Sequence, residues 1–309
     1  MKAAEMKSIK FDLFRRALAL FALRQAPASP SLFAMHITDT ERTADLLPRL
    51  EAAARRAGDI ALAHFRPGER TSAAVSYKNG GSPVTEADLD VDRFLHDEMR
   101  ELAPKAGWLS EETADTDARL SQRSLFIVDP IDGTSAFARG DARWAISIAL
   151  VEAGRPVLGV VHAPALQETF SGAAGVGAFL NGAPLIVPQR TSLEGATVIA
   201  PRALHDQIET APQKFTLAPR VPSLALRLVD IAAGRHDLVF TTPNSRDWDI
   251  AAADIILAEA GATLTEAGRA PVIYNRPTLA RGALIAAACS LIDDAVALAR
   301  ALSREPFYS

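Results

Sequence analysis

The part of the sequence that most constrains the fold is residues 125–134, which read Leu-Phe-Ile-Val-Asp-Pro-Ile-Asp-Gly-Thr. The four leading apolar residues predict a buried strand that ends at Asp129. Pro130 has no backbone N–H, so we expect sheet pairing to stop at that residue. Asp132 adds a second carboxylate next to the first. Two close carboxylates repel each other unless a proton or a cation lies between them, so this stretch predicts a bound cation.

The residue types around this pair indicate a hard cation beside an anion. Carboxylate oxygens suit Mg²⁺ or Mn²⁺ better than zinc. Gly133 lets the backbone approach a ligand closely, and a helix that begins near Thr134 would direct free N–H groups at an anion such as phosphate. The alternative is an ordinary surface turn, because Asp, Pro and Gly are all frequent turn residues.

The bulk properties narrow the class of protein. With 309 residues the chain is long enough for one large domain or two smaller lobes. It is 49% hydrophobic and 23% charged, and its net charge of -4 provides no basic field for nucleic acid. The single cysteine, Cys289, rules out an internal disulfide framework and a CxxC metal site. One thiol fits a reducing cytoplasm, and no apolar run approaches the roughly 20 residues of a membrane helix, so we expect a cytoplasmic protein without nucleic-acid or membrane partners.

Residues 1–34 differ in character from the rest of the chain. The segment begins with Lys2, Lys7 and further basic residues, continues with the apolar run 17–23, and then contains small residues and prolines. This order weakly resembles a secretory signal, although the apolar run is at the short limit. We favour the alternative, in which residues 1–34 are a disordered extension or the result of a misassigned start, with Met35 as the true beginning.

The rest of the chain predicts an α+β protein. Apolar residues recur at helical spacing over 43–63, residues 68–83 are expected to form a loop, and a second helix begins at Thr85. Apolar runs at 144–151 and 156–162, joined by a short turn, predict a mainly antiparallel first half.

The segments of the second half alternate between strand-like and helical, and they include a largely apolar helix at 250–260. We expect two lobes that divide near residue 190. Residues 35–190 would form an N-terminal α+β lobe with most metal ligands. Residues 191–309 would form a C-terminal α/β lobe that supplies Asp249 and substrate contacts.

Five acidic residues attract attention because each lies at the start of a predicted helix or the end of a predicted strand. The sequence contains no GxGxxG after a strand, no GxxxxGK[ST], no GxSxG and no HExxH pair, which leaves these carboxylates as the main chemical feature. Two of them have structural alternatives: Asp88 completes a capping box with Thr85, and a Glu111-Glu112 pair is typical of a solvated surface. The five are Asp88, Glu111, Asp129, Asp132 and Asp249.

Four motifs in this order resemble those of the inositol monophosphatase superfamily. The resemblance covers about residues 43–303. It implies a layered αβαβα sandwich of the inositol monophosphatase and fructose-1,6-bisphosphatase type. It also implies a homodimer and a Mg²⁺-dependent, lithium-sensitive phosphomonoesterase. The motifs are Val84-Thr85-Glu86-Ala87-Asp88, Ser110-Glu111-Glu112, Asp129-Pro130-Ile131-Asp132-Gly133-Thr134 and Trp248-Asp249-Ile250-Ala251-Ala252-Ala253.

The resemblance further implies which residues hold the metal ions. Glu111, Asp129 and the carbonyl of Ile131 would hold a first ion. Asp129, Asp132 and Asp249 would hold a second, so that Asp129 bridges the two. Two cations placed in this way clamp the attacking and leaving oxygens of an in-line displacement.

The remaining roles implied by the resemblance concern catalysis and phosphate binding. Asp88 and Glu111 would support a third, weaker ion, partly through water, and would act in catalysis together with Thr134. Gly133 and Thr134 would bind the phosphate through backbone N–H groups. Thr134, hydrogen-bonded to Asp88, would orient or deprotonate the attacking water. No nucleophilic side chain is in evidence, so we expect no phospho-enzyme.

The substrate depends on the branch of the superfamily that the chain resembles. After Thr134, the Ser-Ala-Phe at 135–137 matches neither the inositol phosphatases nor the bisphosphate nucleotidases. Inositol-specific members carry a Glu shortly before the Trp-Asp pair, and residues 241–247 contain none. The segments 272–277 and 284–287 are more similar to the bacterial 3'(2'),5'-bisphosphate nucleotidases. We therefore favour 3'-phosphoadenosine 5'-phosphate, a small phosphorylated metabolite, as substrate.

Two arginines are candidates for binding a second phosphate on that substrate. Arg246 precedes the Trp-Asp motif, and Arg276 lies within 272–277. A guanidinium can bind phosphate oxygens in a bidentate manner, although either residue would equally suit a protein surface. With them, the expected substrate contacts are Asp132, Gly133, Thr134, Asp249, Arg246 and Arg276.

Two other functions remain open. Inositol 1-phosphate, or a broad range of sugar phosphates, would be the substrate if the missing Glu is unimportant. Some relatives bind the transcription or ribosome machinery, so a regulatory binding protein is a minor alternative. That role needs no intact carboxylate set, and the acidic net charge gives no support for RNA binding.

Overall fold

Two β-sheets alternate with layers of helices in the part of the chain that the structure describes. This computed structural model describes residues 37–302 except residues 79, 268 and 269. The predictions for residues 1–34 therefore lie outside the described residues. None of the described helices is long and apolar enough to cross a membrane.

A short antiparallel hairpin and a seven-stranded sheet come from the first part of the described chain. The hairpin consists of β1 (Val75–Tyr77) and β2 (Pro83–Thr85). In the larger sheet, neighbouring strands are also consecutive in sequence: β3 (Gly107–Ser110), β4 (Ser124–Asp132), β5 (Ala145–Glu152), β6 (Arg155–Ala163), β7 (Glu168–Ala173), β8 (Gly177–Leu180) and β9 (Ala183–Leu185). Only the pair β3–β4 is parallel among these, so the expectation of a mainly antiparallel first half is confirmed.

The smaller sheet has five strands within the described residues. They are β10 (Thr197–Ile199), β11 (Thr216–Leu217), β12 (Leu238–Phe240), β13 (Ala262–Glu266) and β14 (Leu284–Ala288). Their spatial order is β11-β10-β12-β14-β13. β10 runs parallel to β11 and β12, whereas β14 runs antiparallel to β12 and β13.

Helices form the outer and middle layers. α1 and α2 pack on the larger sheet, α5 and α6 contact strands of both sheets, and α7 packs on β14. The chain is therefore an α+β protein with a layered αβαβα sandwich, as expected. The helices are α1 (Ile37–His64), α2 (Glu86–Leu102), α3 (Thr134–Ala138), α4 (His205–Glu209), α5 (Leu224–Ala232), α6 (Asp247–Ala260) and α7 (Ile292–Leu302), with single 3-10 turns at Asp117–Ser121, Pro164–Leu166 and Arg202–Leu204.

Close packing in the middle layer fixes the position of α6. Its residues Ala251, Ala252 and Ala253 are fully buried. A helix that is apolar around most of its circumference is one enclosed between two layers. A Cβ on Gly159 of β6 would lie 2.5 Å from the carbonyl oxygen of Ala252, so glycine is needed for this close approach.

Strand β4, which lies second in the larger sheet, continues past Pro130, so the expectation that pairing stops there is wrong. Asp129 pairs with Ser147, and Asp132 pairs with Ala145. An advance of three residues along β4 therefore matches an advance of only two residues along β5. One extra residue on one strand makes a β-bulge, and a bulge accommodates proline because the missing N–H falls where the ladder is interrupted. The bulge carries both carboxylates to the same end of the sheet.

Two further segments differ from the sequence-based expectation. α1 begins at Ile37 rather than near residue 43, and the additional turn contains too few apolar residues to show helical spacing. Residues 68–83, expected to form a loop, contain β1 and the start of β2. All residues of β1 are exposed, so no buried face marks it as a strand in the sequence. The division into lobes near residue 190 stays a prediction.

Candidate active site

Three carboxylates from distant parts of the chain meet at one end of the larger sheet. Asp129 and Asp132 stand in the bulge of β4, and Asp249 stands in the first turn of α6. One carboxylate oxygen from each lies within 4.8 Å of the others. We call these three residues the acidic cluster. The structure thus brings together three of the predicted cation ligands.

The electrostatics of the acidic cluster favour a bound cation. Burial raises the pKa of Asp129 well above its usual range, and neighbouring carboxylates, Glu111 first, raise it further. Burial also raises the pKa of Asp249, and the charge of Asp132 adds to the effect. Carboxylates with raised pKa values resist being ionised together. A cation bound between them removes that resistance.

Asp132 is held in place by the first turn of α5. Its Oδ2 accepts hydrogen bonds from the Ser223 hydroxyl and from the Ala225 backbone N–H, both at 2.6 Å. Ser223 also caps α5 by accepting a hydrogen bond from the Leu226 N–H at 3.0 Å. Burial raises the pKa of Asp132, while these hydrogen bonds and the charge of Arg227 lower it. The start of α5 therefore offsets part of the cost of burying this charge.

Asp88 takes part in the helix cap and also contacts Thr134. Its Oδ2 accepts hydrogen bonds from the backbone N–H of Thr85 at 2.7 Å and from the Thr85 hydroxyl at 2.6 Å, within a capping box at the start of α2. Its Oδ1 accepts a hydrogen bond from the Thr134 hydroxyl at 3.0 Å, so the expected contact is present. Burial raises the pKa of Asp88 to about 6. A carboxyl with this pKa can exchange protons near neutral pH.

The turn between the acidic cluster and α3 requires glycine. Gly133 has φ 93°, in the left-handed region, and a Cβ there would lie 3.3 Å from the backbone nitrogen of Ser223. The first N–H groups of α3 have no acceptor within the helix, which is the arrangement predicted to hold phosphate. The Ile131 carbonyl, a predicted cation ligand, accepts the Thr134 hydroxyl at 2.9 Å.

Glu111 lies beside the acidic cluster, and its carboxylate is paired with a lysine. The Lys78 Nζ is 2.8 Å from the Glu111 Oε1 and 2.8 Å from the Glu112 Oε1. Glu111 is outside the group whose oxygens lie within 4.8 Å, yet its charge raises the pKa of Asp129 and of Asp88. Glu112 is not a solvated surface residue, because its side chain is only 5% exposed.

The two predicted substrate arginines lie in different settings. Arg246 is exposed at the start of α6, where its backbone N–H donates to the Asp249 Oδ2 at 2.7 Å. It therefore stands at the edge of the acidic cluster. Arg276 is also exposed and pairs with Glu266 of β13 at 3.3 Å. Among the described residues, no hydrogen bond or ion pair links Arg276 to the acidic cluster.

Sequence reasoning missed Lys78, Ser223 and Arg227. Arg227 is half-buried in α5, and its Nε donates to the Ser223 carbonyl at 3.3 Å. Burial lowers the pKa of Arg227, whereas the nearby charges of Asp132 and Asp249 raise it. The guanidinium therefore lies close to the acidic cluster. The signal that was available is a lone basic residue inside an otherwise mostly apolar helix.

The donor set fits a hard divalent cation. The grouped ligand atoms are all carboxylate oxygens, without a histidine or a cysteine among them. Oxygen ligands of this kind are the ones that Mg²⁺ and Mn²⁺ prefer, whereas zinc sites usually include nitrogen or sulfur. Two further oxygen donors lie beside this set: Glu111, whose charge raises the pKa of Asp129, and the carbonyl of Ile131, which stands between the two aspartates of β4.

Comparison with known proteins assigns the same residues to one family. The model of the inositol monophosphatase family matches residues 44–303, which include the acidic cluster, Asp88 and Glu111. This chain belongs to the inositol monophosphatase family. The resemblance inferred from the four motifs is thereby confirmed, and so is the fold class that it implied.

The relatives of this inositol monophosphatase family member are named for more than one substrate. A fructose-1,6-bisphosphatase/inositol-1-monophosphatase of Thermotoga maritima is 35% identical over 218 residues, covering 69% of this chain and 81% of that protein. A 3'(2'),5'-bisphosphate nucleotidase CysQ of Aggregatibacter actinomycetemcomitans is 30% identical over 251 residues, covering 76% and 89%. The solved structure of an IMPase of Thermotoga maritima matches with a TM-score of 0.73 at 31% identity, covering 84% of this chain and 98% of that one.

Membership of the inositol monophosphatase family establishes the class of reaction. The family consists of metal-dependent phosphatases that act on small phosphorylated molecules. The chain is therefore a metal-dependent phosphomonoester hydrolase, as expected. Because the relatives carry different substrate names, family membership alone does not choose among the substrates.

Proposed function

We propose that this inositol monophosphatase family member is a 3'(2'),5'-bisphosphate nucleotidase that hydrolyses 3'-phosphoadenosine 5'-phosphate to AMP and phosphate. It would use two or three Mg²⁺ ions, accept Mn²⁺ in their place and be inhibited by lithium. The observation that carries the proposal is Arg227, a half-buried cation next to the acidic cluster. The similarity to a bisphosphate nucleotidase supports the same substrate.

The metal ions would be held by residues that the fold already brings close together. Glu111, Asp129 and the Ile131 carbonyl would hold one ion, and Asp129, Asp132 and Asp249 a second. Bound Mg²⁺ supplies charge neutralisation at the phosphate oxygens and lowers the pKa of a coordinated water. The bulge of β4 and the buried helix α6 hold these carboxylates in place before a ligand binds. Preorganised ligands of this kind favour a fixed arrangement of the bound cations.

The chain's own proton-transfer pair would be Thr134 and Asp88. The hydroxyl of Thr134 would accept a hydrogen bond from the attacking water and direct its own proton to the Asp88 Oδ1, 3.0 Å away. The N–H groups at Gly133 and Thr134 would orient the phosphate. Asp88 and Glu111 would support a third, weaker ion.

Asp88→Asn tests this pair. We expect kcat to fall at least about a hundredfold, because general-base assistance contributes on that order, while KM changes little. The asparagine carbonyl can still accept the hydrogen bonds from Thr85, so the helix cap is kept. Asp97→Asn on the exposed part of the same helix is the control and should be neutral. An unaltered kcat in Asp88→Asn would contradict the role assigned to Asp88.

Arg227 is suited to bind a second anionic group on the substrate. It stands one helical turn after Ser223, which contacts both Asp132 and the turn at Gly133. Its Nε bonds to the Ser223 carbonyl, and within the described residues no carboxylate forms an ion pair with its guanidinium. The exposed Arg220 is close enough to lower the pKa of Arg227, so the region is basic. A phosphate would complete the hydrogen bonds of this guanidinium.

The alternative substrate is inositol 1-phosphate or a range of sugar phosphates. It is favoured by the similarity to the Thermotoga maritima protein, whose name includes both activities. A dedicated inositol phosphatase is disfavoured by the absence of a Glu in 241–247. A sugar bisphosphate could also place a second phosphate at Arg227. The two candidate substrates therefore differ chiefly in the alcohol that carries the phosphate, a nucleoside in one case and a sugar in the other.

The deciding experiment measures phosphate release in parallel from 3'-phosphoadenosine 5'-phosphate and inositol 1-phosphate, with Mg²⁺ and with or without Li⁺. We expect kcat/KM for the nucleotide to be at least about tenfold higher, and lithium to inhibit. Preference for inositol 1-phosphate would overturn the nucleotidase proposal. Release from neither, by protein that binds Mg²⁺, would favour another phosphate ester or the regulatory binding role.

Arg227→Gln tests the basis for the second phosphate. With 3'-phosphoadenosine 5'-phosphate we expect KM to rise by about ten- to a hundredfold, the range of a hydrogen bond between charged groups. With 3'-AMP, which lacks only the 5'-phosphate, KM should stay nearly unchanged. Arg276→Gln is the matched control, because that arginine pairs with Glu266 instead. Equal changes for both nucleotides would show that Arg227 does not read the second phosphate.

We further propose that the enzyme is a cytoplasmic homodimer. The family resemblance supports the dimer, and the single cysteine Cys289 fits a reducing compartment. Light scattering of the purified protein should give twice the chain mass of 32.9 kDa. Cell fractionation should recover the enzyme in the cytoplasmic fraction.

A further inference from the structure

Lys78 occupies a position that a metal ion would also need. Its Nζ lies 2.8 Å from the Glu111 Oε1 and 2.8 Å from the Glu112 Oε1. Glu111 is one of the proposed cation ligands, so an ammonium group and a divalent cation require the same carboxylate. A lysine carries three donors on a flexible stem, so it can leave one carboxylate and keep the other.

The hairpin that carries Lys78 has little apolar anchoring. Lys78 follows β1, whose three residues are all exposed. The Lys78 N–H donates a hydrogen bond to the Ser82 carbonyl at 2.9 Å, which links the end of β1 to the residue before β2. The two ion pairs of Lys78 therefore attach this end of the hairpin to the residues that follow β3.

The two glutamates differ in how far they are buried. The Glu112 side chain is 5% exposed and the Glu111 side chain is 24% exposed. Neither the motifs nor the geometry assigns a cation to Glu112. A buried carboxylate without an opposite charge costs free energy. The loss of the Lys78 ion pair would therefore destabilise the protein more at Glu112 than at Glu111.

We propose that Lys78 is an internal competitor of the cation that Glu111 binds, and that Glu112 retains Lys78 when the cation takes its place. In the metal-free protein the ammonium neutralises Glu111 and keeps the hairpin closed. When the cation binds, Lys78 gives up Glu111 and stays with Glu112, so the hairpin remains attached. This inference rests on Glu111 being a cation ligand, as in the proposed function, and does not depend on the substrate.

The first test is calorimetric titration of the full-length protein with Mg²⁺ in the absence of substrate. Lys78→Gln should bind the ion about tenfold more tightly, because a positive charge within a few ångströms of the ligand is removed. Lys105→Gln, at an exposed lysine in the loop after α2, is the matched control and should leave the Kd unchanged. Unchanged or weaker Mg²⁺ binding in Lys78→Gln would overturn the proposal.

Glu112→Gln should change the Mg²⁺ affinity in the opposite direction, about three- to tenfold weaker, because Lys78 is left with Glu111 as its partner. The loss of one negative charge would also weaken binding, so the double variant is needed. If Glu112 acts through Lys78, Glu112→Gln has a smaller effect in the Lys78→Gln background than in the wild type. Equal effects in both backgrounds would overturn the role given to Glu112.

Hydrogen exchange of the hairpin at 75–85 provides a readout that is independent of affinity. In the wild type, Mg²⁺ should leave the exchange of these amides nearly unchanged, because Glu112 still holds Lys78. In Glu112→Gln, Mg²⁺ should speed their exchange several-fold, because both ion pairs are lost. The same response to Mg²⁺ in both proteins would overturn the proposal. None of these measurements uses a substrate, so a failure of the nucleotidase assignment would be recognised separately.

Discussion

Asp247 and Asp249, both in the first turn of α6, lie in opposite electrostatic settings. Asp247 is fully buried and accepts hydrogen bonds from the Arg281 Nε at 2.8 Å and from the Asn275 N–H at 3.1 Å. Asp249 instead points at the acidic cluster, where its neighbours are carboxylates. Two residues of the same type, in the same turn, thus have a positive partner in one case and negative partners in the other.

The difference follows from helix geometry and from the elements on each side. Residues two apart on a helix point about 200° apart around its axis. Asp247 meets the connection from β13 to β14, which carries Arg281, and Asp249 meets the bulge of β4. A buried charge with an opposite charge beside it is compensated within the fold, so the loss of either partner is destabilising. Around Asp249 the buried carboxylates outweigh the one nearby guanidinium, that of Arg227, so further positive charge from solution would be favourable there, and this is the side of α6 on which we propose that the cation binds.

The largest expected effect is on the side of Asp249. Asp249→Asn should lower kcat/KM about a thousandfold, because metal-ion catalysis contributes several kcal/mol of transition-state stabilisation. The asparagine can still accept the hydrogen bond from the Arg246 N–H, so α6 keeps its cap. The measurement is phosphate release at saturating Mg²⁺, with circular dichroism to check the fold.

A control within the same helix sharpens this prediction. Asp254 accepts a hydrogen bond from the Tyr274 hydroxyl at 2.9 Å and belongs to the structural side of α6. Asp254→Asn should keep kcat/KM within about threefold of the wild type, because no reacting group touches it. If Asp249→Asn and Asp254→Asn lost activity equally, the distinction between the two sides of α6 would be wrong.

The next effect is on the side of Asp247 and concerns stability. Arg281 and Asp247 are both fully buried, so Arg281→Met leaves a carboxylate buried without its partner. We expect the free energy of unfolding to fall by about 3–5 kcal/mol, measured by denaturant titration. Arg276→Met, at the exposed arginine of the same connection, should change it by less than about 0.5 kcal/mol.

The smallest effect is the pH dependence of the metal-free protein. Burial and like charges raise the pKa of Asp129 and of Asp249, so the folded protein keeps protons that the unfolded chain has already released. Its stability should therefore fall as pH rises above the ordinary carboxyl range near pH ~4. We expect a loss of about 1–2 kcal/mol between pH 5 and pH 8, or about 2–3 °C in Tm for a chain of this length.

Mg²⁺ provides the control for the pH trend. Bound cations stabilise the ionised carboxylates, so saturating Mg²⁺ should flatten the dependence of Tm on pH and raise Tm at pH 8. A metal-free protein whose stability instead rose between pH 5 and pH 8 would show that the carboxylates of the acidic cluster do not repel one another as described.

Residues with a fixed chemical task were visible in the sequence. The motif at 129–134 predicts a paired carboxylate and a helix start, and the structure contains both. The left-handed conformation of Gly133 is a finding of the structure. The capping box of Asp88 was recognisable because its partners are three residues apart. The course of β4 through Pro130 was not, because a bulge depends on the register of the neighbouring strand.

Arg227 and Lys78 show what sequence patterns leave out. Arg227 acts near residues of the larger sheet, and Lys78 pairs with glutamates beyond α2. Neither residue belongs to a recognisable motif, because a single basic residue has no spacing that distinguishes a site from a surface. Arg246 and Arg276 were chosen by position in the sequence, and only Arg246 lies at the edge of the acidic cluster.

By itself, the sequence determined the family, the α+β layered fold and the carboxylates that can carry the chemistry. The α+β class follows from the periodicity of apolar residues, whereas the family and its layered fold follow from the resemblance carried by four short motifs. Only the tertiary structure decided which charge each of these residues meets. A carboxylate becomes a structural ion pair or part of a cation site according to the side chains packed against it, and those come from distant parts of the chain.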